Sequence, residues 1–147
     1  MTIIDYYKQQ SKLLLKDYKL FKENNCNQNE SAYLDPQEHF DINNVLSKVN
    51  KQKGDTITLM NAQHILAKIS DFKDWNDLLR SSDAKREIGA LKLNCYKIGM
   101  DPNIISSASM LVRHELFAEF VDKNGNVNCT DEEELHVWKS VMERLLF

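Results

Sequence analysis

The stretch TDEEELHVWKSVMERL, Thr130 to Leu145, decides the fold class. Thr130 followed three residues later by Glu133 is a capping box, which satisfies free amides at a helix start. Asp131 to Glu134 set negative charge beside the positive end of the helix dipole. Behind that start, Leu135, Trp138, Val141, Met142 and Leu145 recur every three or four positions. That is the period of a helix with one apolar side.

The same period runs outward through the chain. From Thr2 to Lys22, Ile4, Tyr7, Leu14, Tyr18 and Phe21 share one face, with Ser11 filling the gap, while Lys8, Lys12 and Lys16 lie on another. Glu23 to Tyr33 is polar and reads as a loop. Asp35-Pro36, with Glu38 in the first turn, predicts the next helix start, followed by Ile42, Val45, Leu46 and Val49. Lys51 to Asp55, containing Gly54, ends that helix. Another begins at Thr56 or Thr58, buries Ala62, Ile65, Leu66 and Ile69, and stops near Ser70-Asp71. A short helix carrying Trp75, Leu78 and Leu79 follows Phe72.

Ser81 or Ser82 caps a further helix through Ala84, Ile88, Leu91 and Cys95, ending at Gly99. Asp101-Pro102 repeats the start signal ahead of Ile104, Ile105, Ala108, Leu111 and Val112. Leu116 to Asn128 reads two ways. Asp122-Lys123-Asn124-Gly125 is turn chemistry for a hairpin, and Leu116 to Val121 equally extends the preceding helix. With four glycines and two prolines in 147 residues, tight turns are scarce. The expectation is a mainly α protein: a single compact helical domain over 1–147 with six or seven helices. It divides into a half at 1–80 and a C-terminal helical half at 81–147, with one short β-hairpin near 117–129 as the alternative.

A net charge of −3 argues against the chain as a whole binding polyanions. Cys26, Cys95 and Cys129 are odd in number and widely spaced, which suits reduced thiols better than a disulfide framework. The N-terminus shows no secretory pattern, and no apolar run approaches the roughly 20 residues of a membrane span. A soluble, cytoplasmic protein without membrane contact is expected.

Chemistry-bearing patterns each have a structural counterpart. Lys8, Lys12, Lys16 and Lys19 form the best phosphate-binding candidate, diluted by Asp5 and Asp17 and equally readable as solvated helix surface. The 58–80 helix pair could read DNA, but Asp74 and Asp77 on its second helix would repel phosphates. Phe72 and Trp75 read as aromatics locking a turn into the core. Asp122, Asn124, Asn126 and Glu133 occupy calcium-loop positions, yet Val127 stands where the sharp turn needs glycine. His114-Glu115 lacks the second histidine of a zinc protease, because Ala118 holds that position. Cys129 and His136 could pair as nucleophile and base only if the fold joined them. No phosphate-cradling glycine loop is present, and neither cofactor nor metal is expected.

The segment from Thr58 to Leu79 resembles a helical stretch of many uncharacterised bacterial proteins. It is similar to the small glyoxalase-related domain, in which an Ala-Gln pair, a following Ala, a Gly-Phe turn and Trp-Asn-x-Leu recur. Here those features fall on Ala62, Gln63, Ala67, Phe72, Trp75, Asn76 and Leu78, and the likeness covers about residues 3–80. Asp71 replaces the turn glycine, which demands left-handed backbone from a residue with a Cβ. The resemblance implies a fold fragment and a bacterial or mobile-element context. It implies no glyoxalase activity and supplies no catalytic residue.

These readings favour a non-enzymatic helical protein that binds another protein, antitoxin-like or regulatory. From Met100 onward the chain carries nine acidic and four basic residues, so Glu132, Glu133 and Glu134 are candidate contacts for a basic partner. The alternatives are a nucleic-acid-binding regulator using Lys8–Lys19 or the 58–80 pair, and a small enzyme with a site assembled from distant residues. Oligomeric state is open.

Overall fold

A computed structural model describes residues 1–26, 38–49 and 56–146. Seven helices form among them: α1 (Ile3–Cys26), α2 (Ile42–Val49), α3 (Leu59–Ile69), α4 (Trp75–Arg80), α5 (Asp83–Asn94), α6 (Ile104–Phe120) and α7 (Asp131–Leu146). The protein is therefore mainly α. Most helix starts are fixed by a side chain that accepts an otherwise free amide. Thr58 and Asn61 exchange such bonds at 3.2 and 3.0 Å to open α3. Asp74 accepts from the Asp77 amide at 2.8 Å, and Ser82 from the Lys85 amide at 3.1 Å. Thr130 and Glu133 form the expected capping box at 3.1 and 2.9 Å.

The apolar stripes meet as their spacing predicts, except at the end of α7, where Leu145 is exposed. Tyr7, Leu14, Tyr18 and Phe21 of α1, Ile65, Leu66 and Ile69 of α3, and Trp138 and Val141 of α7 are buried. Full burial of one such aliphatic or aromatic side chain stabilises by roughly 1.5–3 kcal/mol. α1 packs on α3, and α3 also contacts α2 and α4. α5 touches α1 and α3 and also packs on α7, whose other principal neighbour is α6. α5 and α7 run in the same direction. Ser82 donates to Asp131 at 2.6 Å, and ten residues further along α5's side the Lys92 ammonium lies 4.9 Å from the Trp138 ring centre.

Three expected boundaries move. The first helix continues past Lys22 to Cys26, while residues 27–33 of the expected loop lie outside the described residues. The Asp35-Pro36 signal and Lys51–Asp55 also lie outside them. Glu38 sits in a bend rather than a first helical turn, and α2 starts at Ile42 with Asp41 accepting from the Asn44 amide at 3.2 Å. The cause is Asp17. Its buried carboxylate accepts the amides of Glu38, His39 and Phe40 at 3.2, 2.8 and 2.8 Å. Phe40 then bridges antiparallel to Lys97, with Asp41 donating to the Tyr96 carbonyl at 2.9 Å. That bridge also explains why α5 stops at Asn94 instead of running to Gly99.

The ambiguous stretch resolves in favour of the helix extension, and of the expected hairpin only a single bridge forms. α6 runs through Phe120, and Val121 then forms a single antiparallel bridge with Val127. Asp122 closes the turn by accepting the amides of Asn124 and Asn126 at 2.8 and 3.0 Å. The α3–α4 turn places Asp71 at φ 73°, the left-handed geometry that its position demanded.

Candidate functional site

α6 buries Ala108 and Val112 toward the bundle and leaves a second stripe outside. Met110, Arg113, His114 and Phe117, at helical spacing, line one surface groove. Met110 is 55% exposed and Phe117 54%. The track continues onto the small hairpin, where the bridged pair Val121 and Val127 is 40% and 43% exposed. Large apolar side chains in water at consecutive turns of one helix cost solvation free energy unless something covers them. Arg113 sits among them with no carboxylate partner among the described residues. The one carboxylate of α6 with an ion-pair partner, Glu115, pairs with Arg144 of α7.

The predicted basic face is solvent-exposed. Lys8, Lys12, Lys16 and Lys19 all point away from the core, and Lys16 lies 3.6 Å from Glu38. Asp17 does not dilute that face as expected, because it is wholly buried on the opposite side of α1. Of the acidic candidates, Glu132 is free on the surface. Glu133 closes its capping box, and Glu134 is 3.2 Å from Lys85, which joins α7 to α5. Two of the three carboxylates thus serve helix start and helix packing.

The catalytic candidates do not assemble. His136 is exposed, and no hydrogen bond joins it to Cys129 among the described residues. Burial and the Glu134 and Glu133 carboxylates push the Cys129 thiol up, against partial opposition from Lys85, and that shift disfavours the nucleophilic thiolate. Burial pushes the Cys95 thiol up to about 11. Among the described residues no group of three or more His, Cys, Asp or Glu side chains is arranged to hold a metal ion. His64 accepts the Trp75 amide at 3.2 Å through Nδ1, which places its proton on Nε2 and makes it part of the α3–α4 turn. Trp75 is buried and Phe72 half-buried, as core aromatics. α4 has six residues, with Asp74 and Asp77 engaged at its start.

A half-buried polar cluster surrounds the 38–40 segment. The Lys97 ammonium contacts Gln10 Oε1 and lies 4.0 Å from the Phe40 ring centre. Burial holds its pKa below the ordinary lysine value, against the raising influence of the Asp17 charge. Neither this cluster nor the outer α6 stripe is anticipated by the sequence reading. The first joins residues far apart in the chain. The second had a signal: Met110, Phe117 and Val121 repeat at helical spacing offset from Ala108 and Val112. No helix of the described residues is long and apolar enough to cross a membrane. In comparison with known proteins, the chain matches no family model, no curated protein and no solved structure.

Proposed function

We propose that the protein acts by docking onto another protein, in a regulatory or antitoxin-like role, through the outer face of α6. The supporting observation is the exposed track Met110–Phe117–Val121–Val127 on a helix whose inner side is satisfied by α7. Amphipathic partners are recognised by apolar anchors at this spacing. The test is a photo-crosslinking residue placed at Phe117, and separately at Lys12, in cells that encode the protein. A discrete protein adduct from position 117 that Met110→Glu abolishes is the expected result. Adducts from position 12 alone would overturn the reading.

A second reading rests on the α1 surface. Lys8, Lys12 and Lys19 are exposed along one stripe and form no salt bridge among the described residues, although the Asp5 carboxylate feels the charge of Lys8. Such a stripe supports weak, salt-sensitive binding of DNA or RNA. A gel shift at low salt that Lys8→Glu, Lys12→Glu and Lys16→Glu together remove would support it, and no shift would end it.

A further inference from the structure

We infer that the groove on α6 takes a short amphipathic segment of a partner protein that carries an acidic residue between two apolar ones, with Arg113 as the group that reads the acid. This deepens the docking reading above and rests on it. Three observations lead there.

The first is charge. From Met100 onward the chain is acidic, yet the groove is lined by Met110, Arg113, His114 and Phe117 and by no carboxylate. An arginine between two apolar anchors, with no carboxylate partner among the described residues, is a local reversal of the surrounding sign. A carboxylate arriving from outside would gain a charge-assisted, two-pronged hydrogen bond from the guanidinium. Methionine and phenylalanine on either side would exclude water from it.

The second is size. At helical rise the stripe from Met110 to Val121 is roughly 17 Å long, about three turns. Even with the Val127 side of the hairpin, it offers a few hundred Å2, below the roughly 800 Å2 per partner of a standard interface. A single helix or extended segment fits that footprint, whereas a second folded surface does not.

The third concerns symmetry. A second copy of this chain packed with its two-fold axis at the centre of the groove sets the Arg113 flank of one α6 against the same flank of the other, like charge against like. Acidic amphipathic chemistry removes that conflict.

The experiment uses the folded full chain and a random peptide library displayed on phage. Expected winners are displaced from the chain by Phe117→Glu and carry Asp or Glu flanked by apolar residues three or four positions apart. Selected against Arg113→Glu, the library should exchange that acidic preference for Lys or Arg, and the original winners should bind at least about tenfold more weakly. Arg113→Lys should retain most of the acidic preference. Thermal melting of each variant checks folding, since both positions are exposed. Winners that ignore Phe117→Glu, show no acidic preference, or keep it in Arg113→Glu overturn the inference. So does concentration-dependent dimerisation through this face in sedimentation, which would make a second copy the occupant. Protein adducts from position 117 alongside a library without acidic preference would leave the docking reading standing and remove the acidic partner alone.

Discussion

Asp71, at φ 73°, holds its carboxylate 2.8 Å from the ammonium of Lys92. The same ammonium lies 4.9 Å from the centre of the Trp138 ring. One lysine of α5 therefore ties the left-handed α3–α4 turn to α7, and the ion pair offsets part of what the turn costs a residue with a Cβ. Lys92→Ala loses both contacts and should destabilise by about 1–2 kcal/mol in urea unfolding. Asp71→Gly relaxes the backbone as it breaks the pair, so its net effect should stay within about 1 kcal/mol.

The Lys92 penalty should depend on pH. Burial acts to raise the Asp71 pKa, but the hydrogen bond and charge of Lys92, helped by Lys48, outweigh it and bring the carboxyl below its ordinary 3.8. A carboxyl depressed in the fold adds stability that is full above its unfolded value and is lost as pH falls through its folded value. The difference between wild type and Lys92→Ala should therefore be full at neutral pH and shrink as pH drops below 3.8. A difference that widens on acidification contradicts the assignment.

Gly89 inverts the usual helix rule. Alanine inside a helix normally gains about 1 kcal/mol over glycine. At this position a Cβ would come 2.5 Å from Tyr7 Oη, 2.7 Å from Phe72 Cε2 and 3.1 Å from the Ser70 carbonyl. Tyr7 is held by a 2.6 Å hydrogen bond to the Arg86 carbonyl, so it cannot yield without losing a bond. Gly89→Ala should destabilise by about 1–3 kcal/mol, measured by urea unfolding.

Asp17 anchors three amides, and the two kinds of replacement should separate. Asp17→Ala leaves the Glu38, His39 and Phe40 amides without their acceptor and should cost more than about 3 kcal/mol. Asp17→Asn keeps one acceptor oxygen and should fall between alanine and wild type. Hydrogen exchange at the His39 and Phe40 amides should accelerate in both variants, more in alanine.

Thiol labelling should report folding rather than chemistry. In a Cys26→Ser background, Cys95, with its pKa pushed up to about 11, should react with iodoacetamide near neutral pH only as fast as the chain opens. Cys129 should react more slowly than a free thiol, and Glu134→Gln should speed it by removing a carboxylate that disfavours the thiolate.

Periodicity made the helices readable. Tyr7, Leu14, Tyr18 and Phe21, or Leu135, Trp138 and Val141, announce their faces because burial repeats with the turn of the backbone. Caps such as Thr130–Glu133 were equally plain, since donor and acceptor are three residues apart. The role of Asp17 is not legible locally because its partners lie more than twenty positions away (22 for the His39 amide), and nothing nearby marks a carboxylate that will turn inward. Glu38 defies its expected place in a first helical turn for the converse reason: a local signal takes no account of that distant carboxylate. The outer stripe of α6 is hidden in the sequence because apolar residues in a helix read as core until packing shows which side is covered.

Because α5 and α7 point the same way, the chain between them must travel back along the bundle, and α6 lies on that return path. A return segment held mainly by one neighbour, with only Ala108 and Val112 buried among its residues, is cheaper to release than α3 or α5, each of which packs on three or more helices. In native-state hydrogen exchange its amides should open well before those of α3 or α5. The element best placed to greet a partner is thus also the one that can adjust its seating without unravelling the rest.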